Sequence, residues 1–117
     1  MPASFRLLIL VAVFQLFAGC GPKGFSPEIL TSGVRYSYQD LTALSVAVVG
    51  SFNHWDPTIN RLSGPDASGA WTTLISLPPG RYEYRFVIND TNWVLDPSAL
   101  SIDDGMGERN SIVDVPN

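Results

Sequence analysis

The chain contains one cysteine, one histidine and only seven basic residues in 117. The lone cysteine, Cys20, excludes an internal disulfide and any cysteine-rich zinc site. Seven bases against eleven acids leave a formal charge of −4. That balance argues against nucleic acid, which is bound by neutralising phosphates. No stretch beyond residue 20 keeps a 3.6-residue apolar period over ten residues. The nucleophile-elbow, phosphate-loop and dinucleotide fingerprints are missing as well. Glycoside hydrolysis takes two carboxyls facing across a cleft. Here the acids fall in loops or on outward strand positions. Asp103-Asp104 supplies two adjacent carboxylates, short of the six to eight oxygens calcium takes. His54 sits in a polar segment and reads as an ordinary surface side chain. The expectation is a protein without catalytic residues, cofactor or metal site.

Apolar residues are 45% of the chain but unevenly spread, with 14 among the first 19. Arg6 precedes the run Leu7–Phe14, which Gln15 interrupts before Leu16 and Phe17. A bilayer core of about 30 Å needs roughly 20 apolar residues, so this run is too short to span. A basic start, a short apolar core and small residues at its end describe a secretory signal. Leu16-Phe17-Ala18-Gly19-Cys20 resembles the lipobox of bacterial lipoproteins, with Phe17 in place of the usual leucine. The resemblance implies cleavage before Cys20, a diacylglyceryl group on its sulfur and an acyl group on its amine. Several acyl chains, at ~0.8 kcal/mol per buried CH₂, hold a protein firmly on a membrane. It implies a lipid-anchored cell-envelope protein. Gly21, where enteric-type lipoproteins kept in the inner membrane carry aspartate, points to an outer-membrane address in a Gram-negative cell.

Residues 1–19 are then a signal peptide, and 20–32 a tether rich in turn formers. Glu28–Ser32 reads as a short helical turn within that tether. Without the signal the chain has 98 residues, 39 of them apolar, and a balance of −5. That size supports one modest core.

From Gly33 to Asn117 a period of two dominates. Val34, Tyr36 and Tyr38 alternate with Arg35 and Ser37. Leu44–Phe52 reads as a strand, Asn53–Ser68 as loop, and Trp71–Leu77 as a second alternating run. After Pro78-Pro79-Gly80, Tyr82, Tyr84, Phe86 and Ile88 alternate with Arg81, Glu83 and Arg85. Asn89–Asn92 is a hairpin loop, Trp93–Leu95 a return strand, 96–107 a long loop, and Asn110–Val115 the last strand. About seven short strands with regular turn signals predict an all-β antiparallel sandwich.

Trp71 shares the phase of Ile75 and Leu77 and belongs to the core. Trp55 and Trp93 lie at strand edges, where bare indoles are costly unless something covers them. If the tyrosines of 82–86 face inward, Arg85 and Glu83 face outward. Indoles beside a guanidinium suit a neutral sugar: the pyranose C–H face stacks and its hydroxyls meet charged donors.

The blocks Gly50-Ser51-Phe52-Asn53-x-Trp55, Gly69-x-Trp71, Leu77-x-x-Gly80-x-Tyr82-x-Tyr84-Arg85-Phe86, Trp93-x-x-Asp96-Pro97 and Gly107-x-x-Asn110-Ser111 occur in that order. Together they resemble the glycogen-binding module of AMP-activated protein kinase β subunits, which also precedes catalytic domains in isoamylases and branching enzymes. The resemblance implies an early-set, immunoglobulin-like sandwich that binds α-glucan or a related oligosaccharide. It implies stacking by Trp55 and Trp93, hydroxyl contacts from Arg85 (a lysine in the kinase type) and Asn110, and an apolar wedge at Met106. Glu108 stands at the remaining site position, where the kinase type has threonine. The hairpin before Trp93 is one residue longer than the family's Asp-Gly turn, a change expected to shift that indole. The alternative is an envelope scaffold whose sandwich docks a protein partner, since a fold alone does not choose a function.

Overall fold

The computed structural model describes residues 26–117. The signal segment, Cys20 and the first part of the tether lie outside the described residues. The strands are β1 (Glu28–Leu30), β2 (Gly33–Gln39), β3 (Val46–Gly50), β4 (Ala70–Ile75), β5 (Gly80–Ile88), β6 (Asn92–Val94), β7 (Ser101–Asp103) and β8 (Arg109–Val115). They form two antiparallel sheets, one ordered β1-β2-β4 and the other β3-β5-β8-β7, with β6 paired to β5. Strand β5 is long enough to pair with β8 through Gly80–Tyr84 and with β6 through Phe86–Ile88. The all-β sandwich is as expected, with eight strands instead of about seven.

The difference lies in two three-residue strands. The segment expected to start a helical turn is instead β1, paired to β2 with Glu28 opposite Arg35. Arg35 Nη1 donates to Glu28 Oε1 at 3.0 Å across that ladder. The sandwich thus reaches back into the segment expected to be tether. Strand β7 lies inside the expected loop 96–107 and pairs with β8. Arg109 Nη2 donates to the Ser101 carbonyl at 2.7 Å and covers its edge. Three residues are too few to display a period, so neither strand announces itself by patterning.

The longer strands follow their alternation. Val34 and Tyr36 on β2, Val46 and Val48 on β3, Trp71 on β4, Tyr84 and Phe86 on β5, and Val113 on β8 form one core between the sheets. Its centre is aromatic: the Tyr36 and Tyr84 rings meet edge-on at 4.9 Å, and Tyr84 meets Phe86 at 5.9 Å. Such pairs add ~0.5–1.5 kcal/mol beyond area burial. The Trp71 indole N–H donates to the Asp40 carbonyl at 2.8 Å, so its polar edge is satisfied.

A buried carboxylate ties the end of β6 to the core. Tyr84 Oη donates to Asp96 Oδ2 at 2.7 Å, and the Ser98 N–H donates to Asp96 Oδ1 at 2.8 Å. The Asp96 N–H donates to Ser111 Oγ at 2.9 Å. Burial raises the Asp96 pKa, while the hydroxyls of Ser26 and Tyr84 and the Ser98 N–H oppose that rise. The same burial pushes the Tyr84 hydroxyl far upward. Asp96-Pro97 therefore fixes where the chain leaves β6, three residues after Trp93.

Candidate functional site

The outer face of the five-stranded sheet carries the residues singled out above. Register decides this, because residues opposite one another share a face and a one-residue slip reverses it. Ala47 lies opposite Val87, which lies opposite Trp93. Val49 lies opposite Arg85, Glu83 opposite Ile112, and Asn110 opposite Ile102. With Tyr84 and Phe86 in the core, all of these point away from it.

Trp55 reaches this face through a tight turn after β3. Gly50 approaches β5 so closely that a Cβ there would lie 2.5 Å from the Glu83 carbonyl oxygen, so no other residue fits. The Ser51 N–H donates to that carbonyl at 2.9 Å. The Phe52 ring turns inward and stacks on Tyr36 at 5.8 Å. Asn53 is buried and bonds in three directions. Its Oδ1 accepts from the Gly50 N–H at 2.9 Å, and its Nδ2 donates to the Val48 carbonyl at 3.0 Å and to Asn60 Oδ1 at 2.8 Å. His54 and Trp55 both take positive φ, 61° and 56°. Side-chain sterics disfavour that region, and a bulky residue there is a genuine outlier. The Trp55 N–H donates to the Gly50 carbonyl at 3.0 Å, which holds it in that conformation. The indole lands on Ala47, Val49 and Val87, a second small apolar cluster on the outer face. His54 is exposed at the tip of the turn.

The lengthened hairpin keeps Trp93 on the outer face. Asn89 and Asp90 have φ of 53° and 67°, the positive pair that a type I′ turn requires. Asn92 is opposite Ile88, so Thr91 is the extra residue without a ladder partner. Were Thr91 itself opposite Ile88, Trp93 would fall opposite Phe86 and point into the core. The extra residue is thus accommodated within the turn, and Trp93 keeps the parity of Val87. Trp93 is 41% exposed, and its indole flanks the Ala47–Val87 row that Trp55 covers.

Arg85, Asn110 and Glu108 form one network. Arg85 Nε donates to Asn110 Oδ1 at 2.7 Å, and Arg85 Nη2 donates to Glu108 Oε1 at 3.3 Å. Asn110 Nδ2 donates to Glu83 Oε1 at 2.9 Å. Asn110 is only 6% exposed and floors the network. Met106 is 84% exposed at the tip of the loop that carries Glu108. That loop is shaped by its own carboxylates: Asp103 Oδ1 accepts from the Gly105 N–H, and Asp104 Oδ1 from the N–H groups of Met106 and Glu108. Glu83 was legible as an outward residue but not as a member of the site. Its signal was parity with Arg85; what alternation alone does not supply is the Asn110 amide that joins them.

Two indoles and an anchored guanidinium thus lie on one face of an antiparallel sandwich. The chain belongs to the family described as the glycogen recognition site of AMP-activated protein kinase, whose family model matches residues 35–117. It is 39% identical over 73 residues to the 1,4-alpha-glucan branching enzyme GlgB of Halothermothrix orenii, covering 59% of this chain and 12% of the enzyme. Against the GlgB of Nitrosospira multiformis it is 40% identical over 73 residues, covering 58% of this chain and 10% of the enzyme. Against the chloroplastic protein PTST of Arabidopsis thaliana it is 35% identical over 74 residues, 61% of this chain and 26% of that protein. The match to the branching enzymes thus takes in about a tenth of their length.

Proposed function

We propose that this is a lipid-anchored envelope protein that binds α-glucan, without catalysis, on the outer face of the β3-β5-β8-β7 sheet. Trp55 and Trp93 stack on glucose units. Arg85 donates to hydroxyls, Asn110 holds it and offers its remaining valences, and Met106 wedges against the chain beside Glu108. The observation that carries this reading is the register that puts Trp93 opposite Val87, beside the patch under Trp55. A protein-docking scaffold would favour buried indoles; the exposure of Trp93 supports the sugar reading instead. The family and the relatives named for α-glucan branching agree with it.

A shallow face of this kind binds weakly, but many copies on one membrane raise the effective affinity for a long polymer. Cys20 supplies the anchor and the segment before Ser26 the reach. Tryptophan fluorescence titrated with maltoheptaose and β-cyclodextrin tests the site. A saturable change at millimolar sugar or below, lost in Trp93→Ala, is expected. An unresponsive wild-type protein would sink the sugar reading. Globomycin-sensitive processing and palmitate incorporation, both abolished in Cys20→Ala, are expected of the anchor; labelling that persists in the variant refutes it.

A further inference from the structure

We infer that Glu83 and Glu108 make this face selective for uncharged glucan over phosphorylated glucan, with Glu83 the positioning residue that sets the Asn110 amide. This rests on the reading of the face as a glucan site. The Asn110 amide is buried and engaged at both ends, with Oδ1 toward Arg85 and Nδ2 toward Glu83. Flipped, it would set an N–H against a guanidinium and an oxygen against a carboxylate, two repulsive contacts. Glu83 and Arg85 therefore fix one orientation between them.

The guanidinium is fixed in turn. Arg85 is held through Nε and Nη2, and its side chain is only 18% exposed. Among the described residues Nη1 has no hydrogen-bond partner, so its two N–H groups, with the second N–H of Nη2, are left for a ligand. A preset donor binds a hydroxyl with little ordering cost.

Charge separates the ligands that such a donor accepts. An isolated guanidinium attracts phosphate strongly, often through two parallel bonds. Here the network holds one cation, Arg85, and two anions, Glu83 and Glu108, for a net of −1. Asp104 adds a carboxylate on the loop that carries Glu108, while Asp103 lies opposite Arg109 at the other parity of the strand. Arg85 Nη2 is already shared with Glu108, so a phosphate drawn to the guanidinium approaches that carboxylate directly. A hydroxyl needs one donor and meets no repulsion. A phosphate monoester carries about −1.5 to −2 at neutral pH and meets a negative surface.

The test compares maltoheptaose with maltoheptaose bearing one phosphate monoester, by calorimetry on the full-length chain in detergent. Coulomb repulsion at a wet surface predicts about a three- to tenfold preference of the wild type for the neutral chain at low salt. That preference shrinks in ~0.5 M salt. The double variant Glu83→Gln/Glu108→Gln keeps oxygen acceptors and removes both charges. Its preference, read as the ratio of the two affinities, should vanish or reverse. Glu83→Ala should weaken neutral binding severalfold, and Glu83→Gln should restore it, a rescue that loss of bulk alone does not give. Equal wild-type affinity for the two sugars at low salt, or a preference unmoved in the double variant, overturns the selectivity. Failure of the wild type to bind even the neutral chain overturns the glucan site itself, and the selectivity with it.

Discussion

Asn53 is the residue whose removal most directly tests how this face is built. Its side chain accepts from the Gly50 N–H and donates to the Val48 carbonyl and to Asn60, all at 2.8–3.0 Å. The first two are backbone groups on the edge of β3 away from β5, where residues 60–62 pair alongside Val46 and Val48 and Asn53 continues the cover to Gly50. Asn53→Ala removes three hydrogen bonds at ~0.5–1.5 kcal/mol each and strands buried groups costing ~1–3 kcal/mol. Partial relaxation lowers the sum, so about 2–4 kcal/mol is expected. For a domain of this size each kcal/mol shifts Tm by about 4–8 °C, so a fall of about 10–25 °C follows. The same change frees the strained turn at His54 and Trp55. Acrylamide quenching of Trp55, read in a variant with Trp93 replaced by phenylalanine, should then rise, and glucan affinity should drop. Asn60→Ala, which removes only one of the three partners, should cost a third as much or less. A Tm within ~4 °C of wild type in Asn53→Ala, with unchanged quenching, would refute the assignment.

Deleting Thr91 leaves Asn92 opposite Ile88, so Trp93 should keep its face and glucan affinity should stay within about twofold; a tenfold loss refutes the register argument. Asp90→Gly relieves a positive φ while losing only an exposed pair with Arg61, and should raise Tm by a few degrees in thermal unfolding. Trp93→Ala should weaken glucan binding by about 1–2 kcal/mol, roughly five- to thirtyfold, with little change in Tm, whereas Trp55→Ala should lower both because its indole also covers Ala47, Val49 and Val87. On acidification Asp96 should take up its proton first among the shifted aspartates, and Asp56, Asp66 and Asp114 later, as carboxyl carbon NMR would record. Burial raises Asp96, so its contribution to stability is complete below its unfolded pKa and is lost as pH rises through the folded one. The other three are lowered by hydrogen bonds, so theirs is present above their unfolded pKa and is lost as pH falls through the folded ones.

Strands β2, β4 and β5 were legible because each keeps a period of two, as in Val34-Arg35-Tyr36-Ser37-Tyr38. The short strands β1 and β7 were not, because three residues are too few to display a period. Trp55, Arg85 and Trp93 were placed on one face by motif and parity, and the register puts them there. The network around Asn110 was beyond alternation, since it depends on how far β8 slides along β5. That slide sets Glu83 opposite Ile112, within reach of the Asn110 amide. Thr91 shows the opposite limit: counting residues predicts a displaced indole, while the positive-φ pair before it lets the turn absorb the extra residue.

The alternating pattern left one oddity on β3, whose five residues are all buried. Val46 and Val48 face the core, but Ala47 and Val49 face outward, where polar residues are the rule for a sheet with one solvated side. Their cover is Trp55, with Val87 beneath the same indole. One face of that ring is therefore committed to protein and cannot swing away without exposing the patch. A ring already fixed this way spends no rotamer entropy when a sugar settles beside it, a saving of about 0.5–1.5 kcal/mol per side chain. Trp93 has no such lid function and stands more exposed, so it keeps freedom to adjust to the curvature of a glucan. The two indoles are thus unequal by construction: Trp55 is a rigid platform built on a second small core, and Trp93 is the adaptable partner. On the proposed glucan face, that asymmetry predicts that replacing Trp55 costs folding and binding together, and replacing Trp93 binding alone.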